Sequence, residues 1–130
     1  MSRVEPLHRT TWGQKFGYAF RGMKRGIRGE SSFFVHFFIA AAVIVAALVL
    51  RVTLAEWGLL IVCIAGVLAA EMFNSALENL AKAVTNEYQP RIEDALDISS
   101  AAVLIACIGA SIVGTLIFLN RLGVMLMWWE

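Results

Sequence analysis

Three apolar runs, at residues 33–50, 57–70 and 98–119, punctuate a chain of only 130 residues. Runs of this kind suit helices that cross a bilayer, whose hydrocarbon core is spanned by about 20 residues. The composition agrees: 59% of the residues are hydrophobic and the mean hydropathy is +0.72. An ordinary soluble domain is excluded. What remains is a small polytopic membrane protein with no room for a separate soluble catalytic domain. Any active site has to be built from the helices, their extensions into water and neighbouring subunits.

The net charge is only +1, but seven of the eleven basic residues precede Phe33: Arg3, Arg9, Lys15, Arg21, Lys24, Arg25 and Arg28. Only Glu5 and Glu30 oppose them there. The positive-inside rule then places the N-terminus in the cytoplasm. Because these bases flank a membrane span, nucleic-acid binding is a poor account of them. Residues 1–9 look irregular. Beyond them Trp12, Phe16, Ala19, Phe20, Met23 and Ile27 recur at three- and four-residue spacing, and the bases favour the remaining arc. This predicts a basic amphipathic helix over 10–29, lying in the membrane interface; packing against a partner protein is the alternative. Cys63 and Cys107 fall inside apolar runs without metal-ligand or redox spacing and read as small buried hydrophobes. The first thirty residues lack the apolar core of a cleavable signal peptide.

The expected architecture is therefore an all-α integral membrane protein: an interfacial helix and three transmembrane helices over 33–50, 57–84 and 98–119. The second helix carries its pattern past the apolar run and extends into the cytoplasm. Residues 51–56 form a short outside turn. Residues 85–94 form a polar cytoplasmic connection with Pro90 as a breaker. Asp97, Ser99 and Ser100 suit the N-terminus of the last helix. Trp128 and Trp129 suit an interfacial anchor on the outer side. Ala102, Ala106, Ala110 and Gly114 form a ridge of small residues, a packing face within or between subunits.

The chemistry lies in E-M-F-N-S-A-L-E, Glu71 to Glu78. A charged side chain at membrane depth costs about 2.5 kcal/mol or more to insert, which makes Glu71 a functional candidate by default. Positions 71, 74, 75, 78 and 82 share one broad helix face. Glu71 and Glu78 are about 10 Å apart along the axis, too far to grip one ion together. The deeper acid suits a general base acting on a hydroxyl at headgroup level. Glu78 and Glu30, nearer water, suit Mg²⁺, which binds few protein oxygens and otherwise takes phosphates and water. Such a cluster meets the needs of phosphoryl transfer, which are positioning and charge neutralisation. The plainer alternatives are a Glu78–Lys82 ion pair at i,i+4 and an Asn74–Ser75 bridge between helices. His36, just inside the first span, reads as a local hydrogen bond or headgroup contact. No G-x-x-x-x-G-K-[ST] and no protein-kinase H-R-D or D-F-G set is present.

At these residues the chain resembles the prokaryotic diacylglycerol kinase family, which includes undecaprenol kinases. The resemblance runs from about Trp12 to Leu119. It is carried by F-G-Y-A-F-R-G at Phe16 to Gly22, Glu30, the Glu71–Glu78 element, Glu87-Tyr88, and D-I-S-S-A-A-V-L-I-A from Asp97. It implies a homotrimeric lipid kinase of the bacterial cytoplasmic membrane, transferring the γ-phosphate of Mg-ATP to diacylglycerol or a polyprenol. By motif it implies Glu71 as base and Asn74 as a positioning group. It implies Glu30 and Glu78 at the metal, and Glu87, Tyr88 and Asp97 near the nucleotide.

Two positions depart from the family pattern. Leu96 stands where relatives carry a lysine before the aspartate, and Lys82 stands where many carry an aspartate. One account has Lys82 supplying the missing cation to ATP. The other is a weakened family member that acts as a membrane scaffold or assembly partner. The turn R-V-T-L-A-E-W and the N-terminal helix lean towards the polyprenol-using type, by analogy alone.

Overall fold

The computed structural model describes residues 11–29 and 31–127; the side chains of residues 28–32 lie outside that description. Four helices follow one another: α1 (Trp12–Gly29), α2 (Ser31–Val49), α3 (Leu54–Val84) and α4 (Pro90–Met125). The described residues contain no strand. Helices are the expected solution for so apolar a chain, because in lipid each backbone N–H and C=O must be satisfied within its own segment.

Each helix start has a local cause. Thr11 and Gln14 form a reciprocal box at α1, the Gln14 amide donating to Thr11 Oγ1 and the Thr11 amide to Gln14 Oε1. Thr53 and Glu56 repeat it at α3, with bonds of 3.2 and 2.7 Å. At α4 Pro90 takes the first helical position, where no N–H is needed and its fixed φ fits. The proline starts the helix; it does not break it. The connection thus shortens to residues 85–89, and Asp97, Ser99 and Ser100 lie two turns inside α4, not at its N-terminus.

α2 ends in a paired-bond cap. The Val52 amide donates to Ala47 O at 3.2 Å and the Arg51 amide to Leu48 O at 3.4 Å, with Arg51 at φ 52. Ala47 and Val52, the two ends of that cap, join Leu60 and Ile117 in the only cluster of buried apolar side chains among the described residues. The hydrophobic core therefore sits at the α2–α3 turn. Arg121 of α4 reaches over it and donates to the carbonyls of Leu50 and Arg51.

α3 and α4 form the principal antiparallel pair, with α2 packed against α3. Both are long and apolar enough to cross a membrane, and α2 carries a shorter apolar stretch over Phe33–Val49. Their apolar windows are only 22% and 6% buried, unlike the core helices of soluble proteins. At about 46 and 54 Å, α3 and α4 exceed a hydrocarbon core of about 30 Å. α1 docks beside the middle of α3, where Gly26 admits Met72: a Cβ there would stand 3.1 Å from Met72 Cε. Its face of Trp12, Phe16 and Phe20 is exposed, and Lys15 and Arg21 lie over the Trp12 and Tyr18 rings.

The ridge of small residues on α4 does not close on another helix of the chain. Ala110 and Gly114 line an open groove of about 570 Å³ between α2, α3 and α4. A Cβ on Gly114 would meet nothing within 4 Å.

Candidate active site

The buried polar side chains gather at the opposite end of the bundle from the apolar core. They are Glu71, Asn74 and Ser75 of α3 and Ser99 of α4. The helical repeat places Glu71, Asn74/Ser75 and Glu78 one above another, one turn per step.

Glu71 is 5% exposed. Its Oε2 lies 3.5 Å from His36 Nε2 on α2. His36 is itself largely buried, and it forms one end of the apolar groove. Asn74 ties three groups together. Its Nδ2 donates to Glu78 Oε1 at 3.1 Å, while its Oδ1 accepts from Ser99 at 2.7 Å and from Ser100 at 3.3 Å. Ser99 also donates to Leu96 O at 2.9 Å. The amide thus bolts α3 to α4 and aims the half-buried Glu78 carboxylate. Ser75 Oγ is buried with no hydrogen-bond partner among the described residues.

Beyond Glu78 the site opens to solvent. Lys82, in the last turn of α3, is exposed, as are Glu87, Tyr88 and Asp97. Thr85 Oγ1 accepts from the Glu87 amide at 3.0 Å, which shapes the connection. A hydrogen bond with Glu93 raises the Tyr88 phenol above its usual 10.0, and slight desolvation and the Asp97 charge add to the shift. Tyr88 is therefore a neutral phenol at physiological pH, beside two acids.

The structure thus joins Asn74 to Glu78, and brings Tyr88 towards Asp97. Glu71 is held on a separate helix contact. Glu30, the other acid expected at the metal, lies outside the described residues. Among the described residues no group of three or more His, Cys, Asp or Glu is placed to hold a metal. One aimed carboxylate, Glu78, nevertheless fits Mg²⁺, which is held by one or two carboxylates and takes its remaining oxygens from phosphates and water.

Two kinds of residue escaped sequence reasoning. Ser99 and Ser100 were assigned to a helix end and instead complete the Asn74 network. His36 carries the same signal that singled out Glu71, an ionisable group within an apolar run, and the structure pairs the two.

The described residues form a helical, membrane-type fold with a buried carboxylate, an ionisable group of the kind that membrane helices keep for function. The chain belongs to the prokaryotic diacylglycerol kinase family, whose model matches residues 17–118. It is 29% identical over 109 residues to the undecaprenol kinase of Bacillus subtilis, covering 84% of this chain and 89% of that one. It is 30% identical over 125 residues to the diacylglycerol kinase of Synechocystis sp., covering 91% and 71% respectively.

Proposed function

We propose that the protein is an integral-membrane lipid kinase that transfers the γ-phosphate of ATP to the hydroxyl of a membrane lipid alcohol, undecaprenol or diacylglycerol. Family membership supports the class. The observation that carries the mechanism is the buried Glu71, held where the apolar run of α3 ends, one turn from the Asn74–Glu78 pair. In this reading α2, α3 and α4 span the cytoplasmic membrane of a bacterium, α1 lies in its inner interface, and the chain assembles as a homotrimer. The N-terminus, the polar ends of α3 and α4 and the 85–89 connection face the cytoplasm.

Glu71 takes the proton of the lipid hydroxyl as its oxygen bonds to the γ-phosphorus. The bond from that phosphorus to the β–γ bridging oxygen breaks, and ADP leaves. Asn74 and Ser99 hold Glu78 in the orientation in which, together with Glu30, it would bind Mg²⁺. The ion would neutralise charge on the triphosphate. Tyr88, Glu87 and Asp97 line the approach of the nucleotide. Lys82, exposed one turn beyond Glu78, supplies the cation that Leu96 cannot. The undecaprenol kinase is matched over more of its length than the diacylglycerol kinase, which favours the polyprenol.

The test is turnover of labelled ATP with Mg²⁺ and each lipid alcohol by the purified protein in detergent. Phosphorylated undecaprenol from the wild type, and none from Glu71→Gln, is the expected result. Leu96 favours a second reading, a family member that has lost turnover and serves as a membrane scaffold. An intact oligomer inert towards every lipid alcohol would establish that reading. Lys82→Ala should raise KM for ATP about tenfold while Lys24→Ala leaves it unchanged; equal effects would remove Lys82 from the nucleotide site.

A further inference from the structure

We propose that His36 is a positioning residue for Glu71: its imidazole, carried on α2, fixes where the carboxylate of α3 stands when the lipid hydroxyl arrives. The inference rests on the reading of Glu71 as the base.

The geometry is specific. His36 Nε2 and Glu71 Oε2 are 3.5 Å apart, with the side chains 17% and 6% exposed. The contact joins two different helices, α2 and α3. A purely structural contact there would be better made by hydrocarbon, because burying two ionisable groups carries a desolvation cost that their attraction often fails to recover. A glutamate also has three rotatable bonds and can reach along its helix towards water. The imidazole opposite constrains it across the bundle.

α2 is itself held firmly at this level. Phe33, one turn before His36, is 2% exposed and packs against Phe37 with ring centroids 6.3 Å apart. Phe33 and Met72, the neighbour of Glu71, both approach Gly26 of α1. The register of α2 against α3 is thus locked immediately beside the pair. On its other side His36 forms the end of the apolar groove that runs to Leu50 and Leu122. Fourteen residues of helix give that groove a length of about 21 Å. The ring therefore touches the carboxylate on one side and this apolar groove on the other.

Three substitutions of His36 and one double variant test the assignment in the detergent assay with undecaprenol, ATP and Mg²⁺. His36→Ala should lower kcat about 10- to 100-fold, the effect of a catalytic group displaced by about 1 Å, with KM for ATP unchanged. His36→Gln should keep kcat within about threefold of wild type, because its amide nitrogen reaches as far as Nε2. His36→Asn, whose nitrogen stops at the position of Nδ1, should be as slow as the alanine variant. In a Glu71→Asp background His36→Ala should cost much less than in the wild type, since residues acting through one group are not additive. Full activity of His36→Ala, or equal activities for the Gln and Asn variants, overturns the assignment while the kinase reading stands. The Gln–Asn comparison decides if the alanine variant does not fold. An inert wild type overturns both.

Discussion

The two ends of the bundle solve opposite problems. At the α2–α3 turn the bonded polar groups serve structure. The Thr53–Glu56 box caps α3, the Ala47–Val52 pair closes α2, and Arg121 takes up the Leu50 and Arg51 carbonyls with Glu56 3.9 Å away. The apolar core of the described chain lies beneath. At the other end a carboxylate, an amide and two hydroxyls are buried beside Phe33, and one hydroxyl, that of Ser75, has no partner among the described residues. Buried polar groups at a site not wholly satisfied by the chain itself cost stability, and proteins retain them where chemistry needs them. One end fastens the helices; the other carries the buried polar groups on which the proposed chemistry rests.

That contrast predicts activity effects without loss of fold at one end and stability effects without loss of chemistry at the other. The largest is Glu71→Gln, expected to lower kcat at least about 1,000-fold while the melting temperature in detergent stays level or rises. A matching fall in melting temperature would make Glu71 a structural residue. Asn74→Ala should come next, lowering kcat about 10- to 100-fold as Glu78 loses its aim. It should also destabilise by about 1–3 kcal/mol, because Ser99 and Glu78 lose a partner; a loss in stability alone would detach Asn74 from the site. Arg121→Ala should destabilise by about 2 kcal/mol, measured by detergent unfolding, with kcat within twofold of wild type. A collapse of kcat there would show the two ends to be coupled. The smallest effect is a gain: Arg51→Gly removes a side chain from a left-handed position and should stabilise by about 1 kcal/mol. No change would mean that the arginine side chain offsets its own backbone strain.

Much of this was legible in advance. Apolar runs and the three-to-four-residue repeat predicted α1, α2 and α3 to within about three residues at each end. The face shared by Glu71, Asn74, Ser75 and Glu78 follows from helix geometry alone. Pro90 misled because proline stops a helix from within but starts one at its first position, and what precedes it, Gln89, has no side-chain cap to announce the change. Ser99 and Ser100 were misplaced with it. Trp128, Trp129 and Glu30 lie outside the described residues.

Periodicity acts along one helix, so the chain alone determined the helical class, the level of the acids and the face they share. Which groups on other helices meet that face is a matter of register between segments 25 to 35 residues apart in sequence, and no local pattern encodes it. Packing set that register: Met72 and Phe33 against Gly26 on one side, α3 against α4 on the other. Only the tertiary structure could pair His36 with Glu71 and hang Ser99 on Asn74.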